Sequence, residues 1–197
     1  MNIPIESQAL DALFLRARTH NAWFDKPVDD VLLHRIWDLA RMGATSANCS
    51  PMRVVFVKSP EAKARLLPAL MEGNRAKVLT APVTAIFGND SQFFELLPTL
   101  FPHTDARAWF VGNDALRAKS AMLNTTLQAA YFIMAARALG LDTGPITGFS
   151  NEAVDSAFFA DQPNLKSVMV STLGYGDPAS IFERSPRPEF DTFYRMA

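Results

Sequence analysis

The sequence predicts an α+β fold, a small sheet with helices packed around it. Three observations lead there. Short runs rich in β-branched and apolar residues lie at Val54 to Val57, Val83 to Phe87 and Ser167 to Tyr175. Between them stand segments whose apolar residues recur at helical spacing. One of these, from about Asp114 to Leu139, is apolar on nearly every side after Ala129, which calls for burial all round in a core or between subunits.

Taken in order, Leu10, Leu13, Phe14 and Ala17 recur at helical spacing and predict an amphipathic helix over Glu6 to Arg18. Arg18 to Val28 follows as a polar loop. Asp29 or Asp30 then caps a helix whose Leu32, Leu33, Ile36, Trp37 and Ala40 face inward, ending near Gly43. The stretch ATSANCSPMRVVFV, Ala44 to Val57, sets the short hydrogen-bonding side chains of Thr45, Ser46, Asn48 and Ser50 between that helix and a strand buried on both faces. Such a segment is either an ordinary loop rich in Ser and Asn or a seat for a polar, planar ligand. Ser59 and Pro60 are the N-cap and first turn of a helix to about Leu70.

Pro102 to Trp109 reads as irregular, aromatic-rich surface. The long helix should span about 40 Å at about 1.5 Å per residue, with Gly140 just beyond its end. GPITGF, Gly144 to Phe149, leads into a helix to about Phe159. The tail from Asp177 carries Pro178, Pro186 and Pro188 and has little core of its own. No repeat, low-complexity tract or linker divides the chain. It reads as one domain over 1–197, with 177–197 as an extension that wraps a neighbouring subunit.

Composition narrows the function. The 19 Lys and Arg nearly balance 20 Asp and Glu, so no basic footprint for nucleic acid or an anionic membrane exists. Cys49 is the one cysteine, which excludes an intrachain disulfide and suits a reducing cytosol. The start lacks the basic and apolar regions of a signal peptide, and Ala129 to Ala136 is too short to span a bilayer. A soluble, cytoplasmic protein is expected. His20, His34 and His103 have no metal-ligand spacing, and Cys49 reads as a small buried thiol. Gly174 to Ala179 fits a relaxed G-x-G-x-x-A pattern, but only 18 residues follow and prolines interrupt them, so no dinucleotide-binding unit can be completed. What remains is a scatter of basic and amide side chains beside loops: Arg18 with Thr19, Asn48, Asn74 with Lys77, and Arg184 with Arg187.

In this order, those segments resemble the FMN-dependent nitroreductase superfamily over nearly the whole chain. ARTHNAWFDKPV (Ala17 to Val28) is similar to the family's basic opening motif. ATSANCSP resembles its Pro-Ser-x-x-Asn-x-Gln-Pro loop. Asn74 and Lys77 match the family's Asn and Lys, GPITGF its Pro-x-x-Gly turn, and GYGDP with ERSPRP its closing Gly-Tyr and Arg-Pro segments. The resemblance implies a mainly antiparallel sheet flanked by helices and an intertwined homodimer with two FMN sites at its interface. It assigns Arg18, Thr19, Asn21, Arg184 and Arg187 to the phosphate and ribityl end. Thr45, Ser46, Asn48 and Ser50 lie beside the ring, Asn74 and Lys77 at its pyrimidine edge, and Pro145, Ile146, Thr147 and Gly148 near N5. Ala17 and Asn21 stand where the family often has Arg, Ser50 replaces Gln, and Thr147 stands where some members have Glu.

Within the superfamily, ARTHN, TSANCSP, PHTDARAWF, GLDTGPITGF and LGYGD resemble the malonic semialdehyde reductase branch of pyrimidine breakdown. That branch implies ping-pong hydride transfer from NADH or NADPH through FMN to a small aldehyde-acid. His103 and Arg107 are then the candidate substrate contacts, since a carboxylate needs a cation and Arg grips it bidentately. A broad nitroaromatic or quinone reductase is the alternative, and a flavin-binding protein without turnover is a third reading.

Overall fold

The computed structural model describes residues 3–197. Four antiparallel strands form one sheet in the order β1-β2-β4-β3, with β1 at Met52–Val57, β2 at Val83–Asp90, β3 at Asp142–Ile146 and β4 at Leu165–Gly174. β2 and β4 are the central pair, and every residue of β2 is buried. β1 is an edge strand, only half-buried between Arg53 and Phe56, which corrects the expectation of burial on both faces. Its Arg53 donates to Asp90 at 2.6 Å, and Asp90 also accepts from Asn164 and from the Gln92 amide, both at 2.8 Å, so this corner of the sheet is pinned by charge.

The helices are α1 (Ser7–Leu10), α2 (Asp30–Ala40), α3 (Pro60–Leu66), α4 (Glu72–Thr80), α5 (Leu97–Leu100), α6 (Asp114–Ala138), α7 (Asn151–Phe158) and α8 (Phe190–Phe193). α1 continues as a π-helical turn over Asp11–Leu15 and ends there, three residues short of the expected boundary; none of its residues is buried. Asp29 caps α2 by accepting from the Val31 amide at 2.9 Å, Ser59 caps α3 and Ser150 caps α7. α6 starts on an Asn113 cap and is closed by Gly140 at φ +82°, a left-handed residue that glycine adopts without strain.

Two elements escape the sequence pattern. α4 buries only Val78, so it shows no apolar periodicity. β3 reads DTGPI; a proline cannot donate to a ladder and is tolerated there because β3 is an edge. The aromatic stretch before α6 is not wholly irregular either. Ala106–Trp109 is a 3₁₀ turn, and Phe93, Phe94 and Phe110 pack beneath it with Phe93 and Phe110 edge-on at 5.0 Å.

α6 crosses the sheet, burying Ala129, Phe132, Ala135 and Ala136 among Phe87, Met52 and α2. It is not buried all round after Ala129, since Ala130 and Ala138 are exposed and Tyr131, Ile133 and Met134 only half-buried. Before that point Leu116, Leu123 and Leu127 stand exposed on its outer side, with Met122 beside them. Beyond Gly176 the tail forms a 3₁₀ turn at Pro178–Ser180 and the short α8, and none of Phe182, Phe190, Phe193, Tyr194 or Met196 is covered. No helix among the described residues is long and apolar enough to cross a membrane.

Candidate functional site

The polar loop after α1 runs along the free edge of β3. Thr19 bridges Thr143 in parallel, with the His20 amide donating to Thr143 O at 3.2 Å, and Trp23 bridges Gly176. Because β3 is the sheet's last strand, it can bridge Thr19, with Arg18 just before it and Asn21 in the bend that follows. The tail returns to the same place. Ser180 Oγ accepts from the Ala22 amide at 3.1 Å, Arg184 donates to Leu15 O at 2.7 Å and Ala17 O at 3.1 Å, and Arg18 donates to Phe182 O.

A cavity of about 450 Å³ opens between these two segments, and Arg18, Thr19, Asn21, Arg184 and Arg187 all line it. Arg137, in the last turn of α6, completes the wall. Sequence reading missed Arg137 because a basic residue at a helix C-terminus already has an explanation in the helix dipole. Burial lowers its guanidinium pKa from the ordinary value. Four guanidinium groups therefore share one cavity with a single carboxylate, Glu183, in its lining. Their hydrogen bonds go to neutral carbonyls, Arg137 to Leu13 O and Arg187 to Ser185 O among them. Such a group of like charges is relieved by a multivalent anion, which guanidinium forks are shaped to hold.

Further along β3, the chain turns at Thr147 and Gly148 against α4. Gly148 O accepts from the Met71 amide at 3.1 Å and from Asn74 Nδ2 at 3.0 Å, so Asn74 holds the turn. A Cβ on Gly148 would lie 2.8 Å from Asn74 Nδ2 and 3.0 Å from Met71 Sδ. Lys77 lies one turn beyond Asn74, with its carbonyl accepting from Trp23 Nε1 at 3.0 Å. Partial burial lowers the Lys77 ammonium pKa, and no carboxylate lies within ion-pair distance of it among the described residues. Pro145 and Ile146 belong to β3 itself. From Thr143 to Ile146 β3 runs roughly 10 Å at about 3.3 Å per residue before the turn, so this edge offers a basic cavity at one end and an amide, a cation and a bare turn at the other.

Thr45, Ser46, Asn48 and Ser50 are elsewhere. Their loop precedes β1, on the opposite edge of the sheet, about 14 Å from β3 at about 4.8 Å per strand. Ala47 and Asn48 have φ of 50° and Ser50 has φ of 39°, three left-handed residues without a glycine. Each costs on the order of 1–3 kcal/mol, a strain that persists only where surrounding contacts enforce it. Asn48 Nδ2 donates to Leu100 O at 2.9 Å and the Ser50 amide to Thr45 Oγ1 at 3.2 Å. Cys49, between them, is buried, and burial pushes its thiol up to about 11, so it stays protonated at neutral pH.

His103 and Arg107 follow α5 and lie on this side too. His103 stands edge-on to Phe101 at 5.4 Å. Arg107 is gripped by Glu95 through two bonds of 2.7 and 2.9 Å, which hold the Glu95 carboxyl below its usual range. One chain thus divides the predicted residues into two groups, one on each edge of the sheet.

The nitroreductase family model matches residues 16–175. The chain belongs to the nitroreductase family. A protein of Burkholderia lata, whose name proposes an NADH dehydrogenase or NAD(P)H nitroreductase, is 62% identical over 192 residues, covering 98% of each chain. A relative of Stenotrophomonas maltophilia with the same form of name is 54% identical over the full length of both. Among solved structures, a nitroreductase-type protein of Exiguobacterium sibiricum in complex with FMN superposes with a TM-score of 0.86 at 19% identity, over 100% of this chain and 99% of that one. An NAD(P)H:FMN oxidoreductase-type protein of Staphylococcus epidermidis gives 0.85 at 18%, over the same shares. At those identities the superpositions establish the fold of this nitroreductase-family chain.

The packing of the turn is open to a direct check. Gly148→Val should cost about 1–2 kcal/mol in urea unfolding, because the Asn74 amide must release Gly148 O. Gly73→Ala on α4, where a Cβ meets nothing within 4 Å, should instead gain about 0.5–1 kcal/mol. Equal effects would show that the turn is not packed against α4.

Proposed function

We propose that this protein is an FMN-dependent NAD(P)H oxidoreductase acting as a homodimer. The observation that carries the reading is the cavity lined by Arg18, Arg137, Arg184 and Arg187 with Lys77 and the Thr147–Gly148 turn farther along β3. A surplus of positive charge at one end and a polar, uncrowded edge at the other fit an elongated ligand with a phosphate and a planar ring. FMN, when bound, supplies hydride transfer from a nicotinamide donor to an oxidised acceptor. The chain's own part is to hold and surround it. The arginines and Thr19 take the phosphate, Lys77 offers a cation to the ring's electron-rich edge, and Gly148 leaves the approach to the ring clear.

The test is the visible spectrum of the purified protein before and after anaerobic NADPH or NADH. A bound flavin that bleaches supports the reading, and a colourless protein that refuses added FMN overturns it. Lys77→Met should weaken FMN about ten-fold or more, the cost of one charge-assisted bond. The pH dependence has a definite sign. Burial lowers the free protein's Lys77 pKa below 10.5, so the cation is lost as pH rises through that lowered value. FMN affinity should fall over the same range in the wild type and stay flat there in Lys77→Met.

The division of the site supports the dimer. The Thr45–Ser50 loop can face the β3 edge only from a second copy, and the exposed Leu116, Leu123 and Leu127 of α6 supply an apolar surface for that copy. The tail has a seat as well. A groove of about 660 Å³ between α2 and the free edge of β1 is walled by Leu33, Trp37, Met52, Val54 and Phe56. The partner's Phe190 to Met196 segment, exposed on its own subunit, fills it. Light scattering should give twice the 21.7 kDa chain mass, and a chain ending at Glu189 should dissociate more readily. A monomeric full-length protein would exclude the shared site.

For the acceptor we propose a small aldehyde-acid such as malonic semialdehyde, with Arg107 as the carboxylate's partner and His103 beside it. Glu95 occupies that guanidinium, so the substrate must displace it. Glu95→Gln should lower KM for the aldehyde-acid about ten-fold or more, the worth of a charge-assisted bond, and leave a quinone's KM unchanged. Equal KM shifts for both acceptors would point to a broad nitroaromatic or quinone reductase instead.

A further inference from the structure

The Thr45–Ser50 loop is held by three side chains of one helix. Asn124, Gln128 and Tyr131 stand at i, i+4 and i+7 on α6, on one face of that helix. Asn124 Oδ1 accepts from the Ser46 amide at 2.8 Å while its Nδ2 donates to Ser120 O at 2.8 Å, which fixes the amide's orientation. Gln128 Oε1 accepts from the Met52 amide at 3.0 Å, and Tyr131 Oη donates to Ala44 O at 3.1 Å. Asn124 and Gln128 are each 1% exposed. The three bonds reach Ala44, Ser46 and Met52, the two ends of the segment that carries the left-handed residues Ala47, Asn48 and Ser50. Gly43 completes the fit, since a Cβ there would lie 2.1 Å from the Tyr131 ring.

We propose that Asn124, Gln128 and Tyr131 are positioning residues for the flavin, acting through the loop they clamp. Buried amides are costly unless paired, and the packing of a helix onto a sheet has no use for two of them one turn apart. Their use is to fix both ends of a strained loop, so that its short polar groups meet the ring in one arrangement. The loop lies across the sheet from the basic cavity of its own chain, so the clamp of one subunit serves the flavin of the other. This inference rests on the FMN reading and the dimer given above.

The experiment measures FMN dissociation by flavin fluorescence and the midpoint potential of the bound flavin, in Gln128→Met, Asn124→Leu and Tyr131→Phe. Thermal unfolding of each apoprotein and the dimer mass are recorded alongside. Gln128→Met and Asn124→Leu should each weaken FMN about ten-fold, because the buried Met52 amide at one end of the loop, or the part-buried Ser46 amide at the other, loses its partner, and should shift the potential. Tyr131→Phe keeps the ring against Gly43 and should weaken FMN only two- to three-fold, about the worth of one exposed hydrogen bond. Ile36→Ala, which removes core packing from α2 without touching the loop, should lower the unfolding temperature and leave both flavin readings unchanged. A potential and affinity that follow stability alone across all four variants overturn the clamp. A wild type that takes up no FMN overturns the FMN reading and the clamp with it. Should the two buried-amide variants not fold, Tyr131→Phe decides, and wild-type affinity and potential in it overturn the proposal.

Discussion

The contact on which the arrangement depends is aromatic and central. Phe132 of α6 is fully buried where the helix crosses the sheet, edge-on to Phe87 of β2 at 5.2 Å and tilted against Phe56 of β1 at 6.0 Å. This contact spans two strands and fixes both the height and the rotation of the helix over the sheet. α6 carries polar groups along much of its length. Asn124, Gln128 and Tyr131 reach the loop before β1, and Arg137 reaches the cavity beside β3. Thirteen residues separate Asn124 from Arg137, about 20 Å of rigid rod. Turning the helix about its axis would move both sets of groups together.

The sheet separates what the helix joins. Edge strands present unpaired backbone, and here each edge is given to a different task. β3 bridges Thr19 at Thr143 and so steadies the segment that lines the basic cavity. β1 keeps a free edge beside an apolar groove, while the tail's aromatics stay exposed, Phe190 stacked only on Tyr194 at 4.8 Å. The proposed dimer resolves both conditions at once, because it brings loop to cavity and tail to groove by a single symmetry operation.

The strands Val83 to Phe87 and Ser167 to Tyr175, and the helices capped by Asp29 and Ser59, were legible in the sequence because burial and capping leave a residue-level signature. α4 and β3 were not. The helix buries one side chain, and the strand contains a glycine and a proline that only an edge admits. The first helix was read too long, since its apolar spacing continues to Ala17 although the segment from Arg18 pairs with β3. Within the candidate site, Arg18, Thr19, Asn21, Arg184 and Arg187 could be grouped from the order of motifs. That Thr45 to Ser50 lie on the far edge is a matter of strand order, which no local pattern records. Arg137, Asn124 and Gln128 were hidden for another reason: each sits in a helix where a basic or amide residue ordinarily means solvent.

The walls of the basic cavity come from the first twenty-odd residues, from the end of α6 and from residues 182–187. Arg184 already ties the tail to the carbonyls of Leu15 and Ala17, but Arg184 and Leu15 are exposed to water and Ala17 is only half-buried. An anion seated among those arginines would join positions some 160 residues apart in the chain. It would act as a reversible cross-link, closing a loop that takes in most of the polypeptide, as a disulfide does in secreted proteins. Filling the cavity is therefore also a means of fastening both ends of the molecule, and a protease would report its occupancy by sparing the tail.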